Sequence, residues 1–194
     1  SQNMLRNSGF TGDYLSEPLA DEEVIEASKE LYSDPFDHWT KSGTVSVISL
    51  DRAVSGKAVR IEGALSKIEQ ELYYPMIEGE EYVLSFKAVS MSATSVSVIQ
   101  MTCGGVTELV SIDTSEKRHV IKIKAVSSSK DFTVELFNNV PCVIYDLQLE
   151  RGTVATHWSP SFLDNSSDRA YYQSLKYIEH ALNEGSTTMG GGLV

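Results

Sequence analysis

The chain is poor in positive charge: 16 Lys and Arg stand against 27 Asp and Glu, a formal net charge of −11. A protein that grips phosphates or an anionic bilayer needs the opposite balance, so neither nucleic acid nor membrane is an expected partner. Cysteine is nearly absent, with only Cys103 and Cys142. Two cysteines are no disulfide framework, and free thiols are expected, as in a protein assembled in a reducing cytoplasm. No window approaches the ~18 consecutive apolar residues of a membrane span, and the opening SQNMLRNSGF carries no apolar signal region. Catalytic signatures are missing too. His38, His119, His157 and His180 are scattered without zinc-ligand spacing, and no serine sits in a G-x-S-x-G elbow. Gly190 to Gly192 lacks the lysine and following helix of a phosphate loop. Carboxylates are so numerous that no one acid and base pair stands out. The chain is therefore not expected to be an enzyme.

What is present reads as a folded β protein. At 194 residues and 41% hydrophobic, the chain can hold one core and an appendage, which we place at residues 1–160 and 161–194. From Thr44 onward, short runs rich in Val, Ile, Thr, Tyr and Phe alternate with turn signals. They predict strands over 44–50, 57–62, 68–74, 81–88, 95–103, 106–112, 118–126, 132–138 and 143–150. Gly104-Gly105 predicts a two-residue hairpin, since paired glycines accept the positive φ of primed turns. Asn138 to Pro141 is read as a similar joint between the last two strands. Alternation assigns faces: Tyr82, Leu84, Phe86 and Ala88 inward against Val83, Ser85 and Lys87, and Val143, Tyr145, Leu147 and Leu149 against Ile144, Asp146, Gln148 and Glu150. The core is expected to hold Leu84, Phe86, Ile121, Ile123, Val134, Leu136, Leu147 and Leu149. One solvated face per strand points to an antiparallel sandwich.

Two segments are helical in pattern. Residues 15–38 are acidic, with helix formers over 22–31, and read as a short helix or irregular insertion. Residues 169–183 carry no Gly or Pro, and Tyr171, Leu175, Ile178 and Leu182 fall at heptad spacing. That stripe suits either a coiled coil, with a homotrimer in the full-length protein, or a helix docked on its own sandwich. The closing Gly190-Gly191-Gly192-Leu193-Val194 reads as the lead into a further region.

The segment Pro141 to Pro160, PCVIYDLQLERGTVATHWSP, resembles the end of jelly-roll modules in tail and minor structural proteins of tailed bacteriophages. Those modules are in turn similar to the galactose-binding-like carbohydrate-binding modules of glycoside hydrolases. Asn3 to Phe10 resembles the opening strand of such modules, with Thr11 in the place of an acidic residue, and Trp39 resembles their early core tryptophan. The resemblance selects a jelly roll over an immunoglobulin-like sandwich, which strand count fits equally. It implies a virion tail address, assembly in a bacterial host cytoplasm with other tail proteins, and a host cell-surface glycan as partner. It also implies a structural Ca²⁺, to which Lys57 of the Ser55-Gly56-Lys57-Ala58 turn and Asp146 would contribute oxygens. The missing carboxylate at Thr11 weakens that set, because Ca²⁺ wants 6–8 oxygens.

Sugar binding needs an exposed aromatic face flanked by polar side chains. Tyr73 and Tyr74 are neighbours on one strand, so the pleat predicts opposite faces. With Ile68, Gln70, Leu72 and Tyr74 as the more apolar set, Tyr73 is the candidate platform, with Gln100 and Lys122 as polar neighbours. Trp158 reads as a wedge that pins the exit segment. Two functions compete: a non-catalytic tail module that binds glycan, and a structural spacer without a ligand. A module of a carbohydrate-active enzyme is a further alternative. A groove with two or more exposed aromatics would favour the first.

Overall fold

The computed structural model describes residues 2–12, 34–165 and 182. The insertion pattern over 15–33 and the heptad stripe of 169–183, apart from Leu182, lie outside the described residues. Within them the protein is all-β and antiparallel. Eight strands run in chain order: β1 (Thr40–Ser49), β2 (Lys57–Met76), β3 (Glu81–Ser90), β4 (Ser97–Cys103), β5 (Val106–Ile112), β6 (Lys117–Lys124), β7 (Ser129–Leu136) and β8 (Cys142–Arg151). No strand forms over residues 3–10, contrary to expectation. The Asn3 side chain takes over the pairing there: its Oδ1 accepts from Leu5 N at 3.1 Å and Leu149 N at 3.3 Å, beside a single backbone bond from Met4 N to Leu149 O.

The two strands expected over 57–62 and 68–74 are one strand that changes sheets. The first part of β2 pairs with β8, and its second part pairs with β7. Counting those parts as two strands gives the orders 1-8-3-6 and 2-7-4-5, which is the jelly roll, with β1 an additional strand along β2. We call them the first and second sheets. The corner forms where residues 63–66 bulge out opposite Gly43, and Ser66 Oγ turns back to accept from Thr44 N at 3.0 Å. Gly43 has φ +77°, and a Cβ on it would lie 2.3 Å from Ser66 Oγ, so only glycine lets the strands cross so closely. Gly104 and Gly105, at φ +59° and +75°, close the β4–β5 hairpin. The joint over 138–141 is not a hairpin: β7 pairs with β2 and β4, and β8 with β2 and β3, so the chain passes from one sheet to the other.

Both sheets contribute to one core. Leu84, Phe86, Ile123, Val134, Leu136, Leu147 and Leu149 are buried in it, while Ile121 on the edge strand β6 is only partly covered. Trp39 is buried with them, its ring centroid 5.5 Å from Phe10 and 6.1 Å from Phe132, and its Nε1 donates to Asn7 O at 2.8 Å. Cys103 and Cys142 are buried free thiols, each pushed up to about 12 by burial.

The expected faces of β8 need correction. Asp146 adopts φ +50° and the register with β3 slips there, so two β8 residues oppose Phe86. The bulge reverses the alternation. Ile144, Leu147 and Leu149 point into the main core, whereas Val143 and Tyr145 pack outside the first sheet against Ala53 and Ala58. Nor is that outer face half in water, since Val83, Ser85, Gln148 and Glu150 are all buried. The segment after β8 covers it. Gln148 Nε2 donates to His157 O and Gln148 Oε1 accepts from Ser159 N at 3.0 Å. Glu150 accepts from Thr156 N at 3.1 Å and from the Thr156 hydroxyl. Trp158 Nε1 donates to Leu147 O at 3.0 Å and Ser8 Oγ at 3.2 Å, which pins this strap to the sheet.

Candidate functional site

The outer face of the second sheet carries an open cleft of about 710 Å³. Its floor follows from the pleat. With Ile68, Gln70, Phe132, Met101 and Cys103 buried, the residues between them must face outward. Register then aligns Thr40, Glu69, Thr133 and Thr102 in a row across β1, β2, β7 and β4, ending on Thr107 of β5, whose hydroxyl meets that of Thr102 at 3.3 Å. The next row pairs Glu71 with Asp131.

Arg6, His38 and Trp39 close one end of the cleft. Asn7, in the left-handed region at φ +49°, holds this end together. Its Nδ2 donates to Pro35 O at 3.0 Å and Asp37 O at 2.7 Å, its Oδ1 accepts from Gly12 N at 2.9 Å, and its own N–H meets both Asp164 carboxylate oxygens at 3.1 Å. Asparagine suits the position because it tolerates positive φ and offers both donor and acceptor. Gln70 fixes Arg6 from beneath, and the guanidinium then spans from Glu71 O, at 3.1 Å, to the Tyr73 ring, 5.7 Å away. Arg6 Nε is buried without an acceptor among the described residues.

Charge at this end is shaped by burial. Desolvation, and then the Arg6 charge, holds His38 below the ordinary imidazole value, with Asp37 and Asp164 pulling the other way. Desolvation also raises the Asp164 carboxyl, against the Asn7 hydrogen bonds and the charges of His38 and Arg6.

Tyr73 and Tyr74 do not take opposite faces. β2 loses its pairing with β7 between Glu71 and Met76, and the released residues turn both rings outward, 53% and 54% exposed. The rings meet edge to face with centroids 4.8 Å apart. Gln100 lies on the same sheet one row from the cleft, aligned with Glu135 and Lys67. Lys122 is on β6 of the first sheet, opposite Val83, and does not join them. Periodicity could have found Glu69 and Glu71 as the complement of the inward Ile68, Gln70 and Leu72. Arg6 and His38 carry no such signal, since tertiary placement alone brings them here.

The residues expected around Ca²⁺ do not fit it. Asp146 Oδ1 accepts from Val54 N at 2.9 Å and its Oδ2 faces Lys87 Nζ at 3.7 Å, so this carboxylate is engaged by a backbone amide and an ammonium. Lys57 O and Gly9 O both accept from the Ser55 hydroxyl. Among the described residues, no three His, Cys, Asp or Glu groups converge on a metal position.

No protein-family model matches the sequence, and no curated protein matches it either. Solved structures do resemble the fold. A family 61 carbohydrate-binding module bound to β-1,4-galactotriose aligns at TM-score 0.47 and 17% identity, over 78% of this chain and 100% of that one. A xylan-binding domain from Paenibacillus barcinonensis aligns at 0.42 and 10% identity, over 60% and 87%. The enzymatically active domain of tailspike protein 4 from bacteriophage CBA120 aligns at 0.49 and 10%, over 77% of this chain and 21% of that one. At these identities the ligand must be read from the site itself.

Proposed function

We propose that this protein is a non-catalytic tail module of a bacteriophage that binds a glycan of the host cell surface through the cleft of its second sheet. The exposed Tyr73–Tyr74 pair beside that cleft carries the reading. A pyranose presents one apolar face to an aromatic ring and its hydroxyls to polar side chains, and here the Tyr73 ring lies 5.7 Å from Arg6, which lines the cleft together with threonines and carboxylates. A flat polar face without aromatics would instead have suited a spacer. The phage address is supported by the resemblance of residues 141–160. It carries with it the neighbouring tail proteins and the homotrimer built on the 169–183 stripe. The test is a glycan array followed by calorimetry: Tyr73→Ala should weaken a hit by about tenfold or more, one 1.4 kcal/mol step. An array without a hit, or a hit indifferent to Tyr73→Ala and Tyr74→Ala, would turn the reading to the spacer.

A further inference from the structure

Glu71 and Asp131 stand directly opposite each other on β2 and β7, both exposed, with no cationic side chain paired to either among the described residues. Like charges facing across an antiparallel pair destabilise it, so the sheet would be better off without one of them. Glu69, one row away, adds a third carboxylate, with Lys67 Nζ only at 3.8 Å. Against these, the described residues lining the cleft set one permanent cation, Arg6, already spanning the Glu71 carbonyl and the Tyr73 ring. His38 adds little positive charge at neutral pH, because burial and Arg6 hold its proton affinity down. A cleft lined by one sign of charge concentrates ligands of the other sign and repels its own.

We propose that the Glu71–Asp131 pair is a charge filter: the cleft takes neutral or amino-bearing glycans and rejects those carrying carboxylate, sulfate or phosphate. The filter rests on the glycan-binding reading above and adds the ligand class to it. Tyr73 supplies the stacking surface, which is blind to charge on the far side of a sugar. Selection among glycans of similar ring shape then falls to the carboxylates, and like-charge contact is an effective means of exclusion.

The test uses the full chain on an array holding neutral, amino-bearing, uronic and sulfated oligosaccharides, with calorimetry on matched neutral and uronic pairs. The wild type should bind neutral or amino-bearing members and leave their uronic and sulfated counterparts unbound. Glu71→Gln with Asp131→Asn keeps side chains that can bond sugar hydroxyls and removes both charges, so the ratio of uronic to neutral affinity should rise by about tenfold or more. Raising salt to about 0.5 M should narrow the wild-type difference, because exposed charges are screened within a few ångströms there. Equal wild-type binding of neutral and uronic partners, abolished by Tyr73→Ala, would overturn the filter and leave the cleft as the glycan site. A double variant that folds, binds the neutral partner and still excludes the uronic one would also overturn it. No hit of any charge would overturn both readings.

Discussion

The side-chain amide of Gln70 bonds the backbone of Arg6 in both directions, Oε1 accepting from Arg6 N and Nε2 donating to Arg6 O, each at 2.8 Å. A buried glutamine on β2 thus does for the N-terminal segment what a neighbouring strand would do, and sets the height of the guanidinium at the end of the cleft. Gln70→Leu keeps the volume and removes both bonds, leaving an amide and a carbonyl unsatisfied. The expected loss is about 1–3 kcal/mol in chemical denaturation. A loss near zero would mean that water replaces the amide and that Arg6 is held from elsewhere.

Asp146 should tolerate asparagine and little else. Its φ of +50° is costly for most side chains but mild for Asp and Asn, and its Oδ1 anchors Val54 N. Asp146→Asn keeps both features and should cost under about 1 kcal/mol. Asp146→Val loses the acceptor and forces a β-branched residue into the left-handed region, for about 2–4 kcal/mol together. The same geometry predicts the response to metal: EDTA or millimolar Ca²⁺ should leave Tm unchanged. A rise in Tm with Ca²⁺ that Asp146→Asn abolishes would show that the carboxylate leaves Lys87 and Val54 for the ion.

Much of the fold was legible because period-two patterns are local. The inward set of β3 and the glycine pair of the β4–β5 hairpin could be read directly from residue order. What escaped were features set by contacts distant in sequence. Asp146 reverses the alternation of β8 without any local mark, because aspartate is unremarkable on a strand until its φ is known. Gln148 and Glu150 look solvent-facing by composition, yet the strap from Thr153 to Ser161 returns over them and satisfies them with its backbone and the Thr156 hydroxyl. The tyrosine pair was visible, but its shared orientation depends on where β2 leaves β7. The cleft was half legible: Glu69 and Glu71 follow from the pleat, while Arg6 and His38 arrive on a segment that no pattern assigns to that sheet.

Stability should fall on mild acidification, and His119 should be one source. Its ring stacks on Phe86 with centroids 5.0 Å apart and an interplanar angle of 14°, and Nε2 is buried without a partner among the described residues. Burial, and then the charge of Lys117, holds its pKa in the folded protein below the 6.5 of the free side chain. Between those two values the unfolded chain binds a proton that the folded chain does not, so stability rises with pH through that window. The contribution is complete above 6.5 and is lost as pH falls through the folded value. His38 shifts in the same direction, whereas Asp164, raised by burial, opposes the trend at lower pH by taking up a proton more readily when folded. His119→Leu keeps the contact with Phe86 and cannot titrate, so denaturation midpoints between pH 7 and pH 5 should slope less steeply in that variant. An imidazole titration of His119 by NMR at or above 6.5 would show instead that solvent reaches Nε2 and that the acid sensitivity lies elsewhere.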